Sequence, residues 1–105
     1  MRVPGSDVNP YLAVAACLGA GLWGIENGLS LEQPATQGSG YADDSVDRLP
    51  RTLQEATHRL DESKLARQIF GEKFVDHYVA TREWEWRQFG DAVTDWELRR
   101  YFEII

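Results

Sequence analysis

The chain has 105 residues, with eleven Lys+Arg against seventeen Asp+Glu, a formal charge of -6 and a pI near 4.8. Hydrophobic residues at 43% and charged residues at 27% exclude a disordered, collagen-like or polytopic membrane chain. The acidic balance argues against a nucleic-acid binder, and the single cysteine, Cys17, excludes an intramolecular disulfide and fits a reducing cytoplasm.

Residues 1–4 allow at most a short strand. Asn9 as N-cap and Pro10 in the first turn then open a helix over residues 11–25 (YLAVAACLGAGLWGI), with Gly28 placed to terminate it. Fifteen helical residues reach roughly 22 Å, short of the ~30 Å hydrocarbon core of a bilayer. Val14-Ala15-Ala16-Cys17 looks like a lipoprotein cleavage box. Only six apolar residues separate Pro10 from Cys17, however, and the apolar run continues beyond it. The bland reading, a buried helix, is preferred. Because this helix is apolar on every side, it predicts enclosure by more protein than so short a chain supplies.

Residues 26–50 carry no periodicity and are punctuated by Pro34, Gly38, Ser39, Gly40, Asp43, Asp44, Ser45 and Pro50. They read as a long irregular connection. Beyond it the pattern is helical. Thr52 and Glu55 have capping-box spacing, followed by Leu53, Ala56 and Leu60 on one face. Asp61 or Ser63 caps a short helix carrying Leu65, Ile69 and Phe70, which Gly71 stops. The longest helix is expected at about residues 72–89, with a stripe of Phe74, Val75, Tyr78, Val79, Arg82, Trp86 and Phe89 and a break at Gly90. Thr94 and Glu97 form a second capping box, opening a last helix with Leu98, Tyr101, Phe102 and Ile105 on one side. The prediction is a mainly α chain forming a single partial domain over residues 1–105.

Chemistry is sparse. Cys17, His58 and His77 fall in three different helices, without the CxxC, HxxxH or HExxH spacing that puts two ligands on one face. Cys17 in an apolar helix reads as a small core residue, and the histidines as solvated. Gly38-Ser39-Gly40 lacks the strand-before, helix-after context of a phosphate loop. Glu83 and Glu85 point in different directions on a helix and are no acid–base pair. Trp84, Trp86 and Trp96 read as packing or as a subunit interface. No metal or cofactor site is read from these residues.

The motifs themselves carry a resemblance. Arg2-Val3-Pro4-Gly5-Ser6-Asp7-Val8-Asn9-Pro10-Tyr11-Leu12-Ala13 resembles the R-x-P-G-[AS]-D-x-N-P-Y-L-A stretch of the glutamine synthetase family. The likeness continues through Ala15-Ala16 and Gly19-Ala20-Gly21-Leu22-Trp23-Gly24-Ile25-Glu26-Asn27. Leu49-Pro50-Arg51-Thr52-Leu53-Gln54-Glu55-Ala56, Gly71-Glu72-Lys73-Phe74-Val75-Asp76-His77-Tyr78 and Val93-Thr94-Asp95-Trp96-Glu97-Leu98-Arg99-Arg100-Tyr101 are similar to later segments of the family, in the same order. The tail looks most like the bacterial branch that includes γ-glutamylpolyamine synthetases.

The resemblance implies the C-terminal helical part of a catalytic domain whose parent fold is α+β. It implies a cytoplasmic enzyme of nitrogen metabolism and glutamine biosynthesis. Such a ligase uses ATP and Mg or Mn to phosphorylate the γ-carboxylate of glutamate, which ammonia or an amine then attacks. The metal-binding carboxylates and histidine and the ATP contacts are expected outside these residues. One metal-ligating glutamate belongs two positions before Arg2. Only Arg2 carries over as a substrate-binding residue, its counterpart contacting glutamate or the transferring phosphoryl group. A single arginine cannot organise phosphoryl transfer, so the isolated chain is expected to be inactive. Asp7 and Asn9 match the same motif, with local roles in the turn and the helix start.

Two readings follow: a C-terminal fragment of a glutamine synthetase-type ligase, or a non-catalytic module that docks on full-length subunits. The DNA upstream of Met1 discriminates them, since an open frame encoding the metal-ligand segments favours the first. Partners are expected to be other glutamine synthetase subunits or the rest of the catalytic domain, in a homo-oligomer, with no nucleic acid and no membrane. The chain alone is expected to self-associate through residues 11–25 and the Trp84–Trp96 region.

Overall fold

Helix α1 (Pro10–Glu26) begins where Asn9 Oδ1 accepts from the backbone N–H groups of Tyr11 (3.0 Å) and Leu12 (3.3 Å). It ends in a Schellman closure. Gly28 takes the left-handed conformation (φ +59°), the Gly28 N–H donates to Ile25 O (3.1 Å) and the Leu29 N–H to Gly24 O (2.9 Å). The computed structural model describes residues 5–32, 47–102 and 104. The strand allowed at residues 1–4, residues 33–46 of the irregular connection, and Ile105 lie outside the described residues. The described residues of that connection, 27–32 and 47–50, contain no helix or strand.

Four further helices follow: α2 (Leu53–Asp61), α3 (Lys64–Phe70), α4 (Glu72–Asp91) and α5 (Asp95–Tyr101), with no strand among the described residues. Of the two candidate caps for α3, the structure selects Ser63, whose Oγ accepts from the Ala66 N–H (3.1 Å). Asp61 instead closes α2. Gly71, at φ +83°, is the joint between α3 and α4, a conformation that L side chains resist.

Three expectations require correction. Gly90 does not break α4, which runs on to Asp91. A helical glycine costs only about 1 kcal/mol, and in the last turn the preceding helix carries it. The first capping box is half formed: the Glu55 N–H donates to Thr52 Oγ1 (3.1 Å), but the Glu55 carboxylate accepts from the Arg51 N–H (2.8 Å). The buried position of α2 is Thr57, while Ala56 is exposed. Thr57 follows Leu53 and precedes Leu60 on one face, and its hydroxyl is already satisfied by donating to Leu53 O (2.7 Å). It therefore packs against α4 much as a valine would.

Helix α4 is the spine, with α2 and α3 packed along it and α1 docked on α3. Val75 and Val79 are its buried core positions, and Tyr78, Arg82 and Trp86 are half-buried on the same stripe. Phe70, Phe74 and Tyr78 run ring to ring at 5.5 and 5.8 Å, and the Arg82 guanidinium sits 5.3 Å from the Tyr78 centroid. Where α1 meets α3, a Cβ on Gly19 would overlap Ile69 Cγ2, so the glycine permits the approach. Trp23 Nε1 donates to Gln68 Oε1 (3.2 Å) at the same contact. The radius of gyration is 18.2 Å, against roughly 13 Å for a compact domain of this length. The helices are thus spread around a very small core.

The capping box of α5 is complete. The Glu97 N–H donates to Thr94 Oγ1 (3.3 Å), and Glu97 Oε2 accepts from the Thr94 N–H and hydroxyl (both 2.8 Å). The backbone N–H of Thr94 first, and its hydroxyl second, hold the Glu97 carboxyl below the ordinary glutamate range. A depressed carboxyl stabilises α5 above the unfolded pKa, and that contribution is lost as pH falls through the folded value. A Thr94→Ala chain keeps the N–H donor, so its Glu97 midpoint should rise only part of the way to that of an unstructured peptide. The same change should weaken α5 by about 1 kcal/mol. Side-chain carboxyl NMR shifts and amide exchange in α5 measure both effects.

Candidate functional site

The residues singled out for chemistry do not converge. Cys17, expected as a small core residue, is instead exposed on α1, and His58 and His77 lie on α2 and α4. His58 Nε2 pairs with Glu62 Oε1 (3.4 Å) one helical turn away, both side chains well exposed. Among the described residues, no group of three or more His, Cys, Asp or Glu side chains could hold a metal ion. Arg2 and Gly38-Ser39-Gly40 lie outside the described residues. Asn9 caps α1 as expected, and the Asp7 carboxylate folds back over the Gly5 turn, occupying space that a Cβ at Gly5 would need.

The sequence reading missed one ionic centre. Arg67 on α3 donates through Nη2 to Asp61 Oδ1 (2.6 Å) and through Nε to Asp61 O (3.1 Å). Its Nη1 donates to Glu72 and to Asp76 Oδ1 (2.6 Å). These hydrogen bonds, Asp76 first and Glu72 next, push the guanidinium above its ordinary range. The partners come from α2 and α4, so one forked side chain ties three helices together. The i+5 and i+9 spacings from Arg67 to Glu72 and Asp76 cross a helix break at Gly71, and no helical periodicity would pair them. Every arm of Arg67 is engaged, which makes it a brace and leaves little for a ligand.

The described surface includes a trough and a smaller hollow. A trough of about 600 Å³ runs between α2 and α4 over Val79 and Trp86, rimmed by Glu55, His58, Glu83 and Arg87. Its carboxylates are partly committed, since Glu55 holds Arg51 and Asp61 holds Arg67. A smaller one of about 440 Å³ lies between α1 and α3, beside Trp23, Asn27 and Gln68. Neither brings a nucleophile beside a base.

The unusual surface is α1 itself. It contains no charged side chain between Tyr11 and Ile25, yet none of its residues is buried. No described helix is long and apolar enough to cross a membrane. Of the three tryptophans grouped near the end, only Trp86 turns toward the packed stripe, while Trp84 and Trp96 are exposed.

Comparison with known proteins supplies what the geometry alone does not. Residues 1–101 match the family described as glutamine synthetase, catalytic domain. The chain is 52% identical over 107 residues to a type-1 glutamine synthetase of Dictyostelium discoideum, covering 99% of this chain and 20% of that protein. It is 49% identical to a gamma-glutamylethanolamide synthetase of Streptomyces coelicolor, covering 97% of this chain and 22% of the relative. It is 43% identical to a glutamate–isopropylamine ligase of a Pseudomonas species, covering 99% and 23%. The chain therefore spans about a fifth of the length of these relatives.

Proposed function

The chain belongs to the glutamine synthetase catalytic-domain family, and from that premise we propose that it supplies the C-terminal helical part of a ligase joining the γ-carboxylate of glutamate to ammonia or a small amine at the expense of ATP. The observation that carries this reading is a match along nearly the whole chain to about a fifth of each relative. Two of those relatives have names specifying an amine, which keeps a small amine beside ammonia as acceptor.

The described residues do not fit a metal centre, having no cluster of three potential ligands. ATP and the Mg or Mn ions are assigned to the larger part of the ligase. Arg2 is assigned to the substrate: a planar guanidinium with forked donors suits the glutamate carboxylate or the transferring phosphoryl group. The helices α2 to α4, braced by Arg67, would then serve as scaffold and subunit contact in a homo-oligomer in the cytoplasm. Neither nucleic acid nor a membrane is expected as a partner.

Two measurements test this. The purified chain should release no phosphate from ATP in a glutamate-dependent manner, whereas turnover abolished by Arg2→Ala would overturn its assigned inactivity. Conversely, a full-length relative whose matching segment is replaced by these 105 residues should retain ligase activity. In that chimera, Arg2→Ala should lower kcat/KM by about two orders of magnitude or more, as expected for a lost charge-assisted contact to the reacting groups. An inactive, unassembled chimera would remove the reading.

A further inference from the structure

Helix α3 is seven residues long and stands between two short joints, Glu62-Ser63 toward α2 and Gly71 toward α4. A helix this short does not hold its own place, since isolated helices below about 12–15 residues are marginal in water. Arg67 reaches across both joints at once. Its guanidinium meets the Asp61 side chain and carbonyl at the end of α2, and the Glu72 and Asp76 carboxylates in the first two turns of α4. The Arg67 side chain is 21% exposed while its three partners remain half exposed or more, so the cation is the enclosed member of the clasp. The next two residues contact α1 instead. Gln68 Oε1 accepts from Trp23 Nε1 (3.2 Å), and Ile69 fills the space that a Cβ on Gly19 would need. One short helix therefore carries both the clasp to α2 and α4 and the seat of α1.

From that seat α1 runs back from Gly19 to Pro10, a length of about 14 Å. Over that length a tilt of about 10° displaces the start of α1 by about 2 Å, and a misplacement of about 1 Å at reacting groups can cost about 100-fold in rate. The start of α1 is continuous with a built turn. Asn9 caps the helix, the Val8 N–H donates to Gly5 O (3.3 Å), and the Asp7 carboxylate folds over Gly5. Arg2, assigned above to the substrate, precedes Gly5 by three positions in the sequence. We infer that Arg67 is a positioning residue of the proposed ligase: by fixing α3 across its two joints it sets the tilt of α1, and with it the placement of Arg2 against glutamate or the transferring phosphoryl group. Arg67 acts through Arg2 and not on the reactants itself. This rests on the reading given under Proposed function, and it adds a residue remote from the substrate on which that contact depends.

The test uses the chimera of the 52%-identical relative carrying these 105 residues. Arg67→Met should lower kcat/KM for glutamate by about tenfold or more and leave KM for ATP within about twofold, because the ATP contacts are assigned to the other part of the ligase. In an Arg2→Ala background, Arg67→Met should change kcat/KM by less than about twofold, since a residue that acts through Arg2 then has nothing to place. Should Arg67→Met prevent assembly, Glu72→Ala with Asp76→Ala opens only the α4 arm of the clasp, at exposed positions, and should give the same pattern. An assembled Arg67→Met chimera with unchanged kcat/KM for glutamate overturns the inference. So do equal losses toward glutamate and ATP, or a full multiplicative loss on top of Arg2→Ala. Failure of both variants to assemble overturns it as well, because Arg67 would then hold the fold and not the placement. An unsubstituted chimera that neither assembles nor turns over is a different failure: it removes the ligase reading, and this inference with it.

Discussion

Val75→Asp should abolish cooperative unfolding of the chain. Val75 is 0% exposed in the first turn of α4, and Val79 and Thr57 are the other buried described residues. The substitution removes apolar contacts and places a carboxylate in the buried core. The Arg67 guanidinium is already shared among Asp61, Glu72 and Asp76, and the Arg82 guanidinium sits over the Tyr78 ring. A buried, unpaired charge costs about 3–5 kcal/mol, and a chain with so small a core has little more than that to lose. Val75→Ala, which loses two methyl groups and leaves a cavity, should cost about 2 kcal/mol and keep a visible transition. Phe89→Asp, at an exposed position of the same helix, serves as the control and should leave the transition in place. Thermal melts followed by circular dichroism read all three. A Val75→Asp chain melting as cooperatively as the parent would show that the α2–α3–α4 contact does not organise the fold.

Leu18→Lys with Leu22→Lys should convert a self-associating chain into a monomer without loss of helix. Both leucines are well exposed, at 63% and 59%, so neither substitution touches the buried core. In the isolated chain the exposed apolar side chains of α1, among them Tyr11, Val14, Leu18, Leu22 and Ile25, are expected to meet those of another copy. Burying each leucine contributes about 1.5–3 kcal/mol, and a two-fold interface would use both leucines twice. The double variant should therefore weaken association by at least about 100-fold. Sedimentation velocity across the micromolar range distinguishes the outcomes. A parent chain that sediments as a sharp monomer would refute this expectation, and association that persists in the double variant would place the contact elsewhere, with exposed Trp84 and Trp96 as the next candidates.

The parts of the fold legible in the sequence share one property: they are local. Asn9, Thr52, Ser63 and Thr94 cap the helices because a side-chain oxygen can reach a backbone donor two or three residues ahead whatever lies around it. Gly28 and Gly71 end helices because their backbones sit at positive φ. Gly90 misled because a glycine in a last turn lacks that requirement, and α4 passed through it. Thr57 escaped notice because a hydroxyl that bonds its own helix no longer behaves as polar, a fact visible only once Leu53 O is in place. For the candidate site, Arg2 was found by motif and lies outside the described residues, whereas Arg67 was missed because its partners lie on α2 and α4.

The sequence by itself determined five helices with nearly correct ends, an all-round apolar α1 and the likeness to a ligase family, since caps, composition and motif order survive without any knowledge of neighbours. Only the tertiary structure decided that Thr57 and not Ala56 faces α4, that one guanidinium gathers carboxylates from two other helices, and that α1 docks on α3 through Gly19 and Trp23. These are questions of how helices rotate and cross. The rotation of a helix is set by the shapes of side chains distant in sequence, and no local pattern contains them.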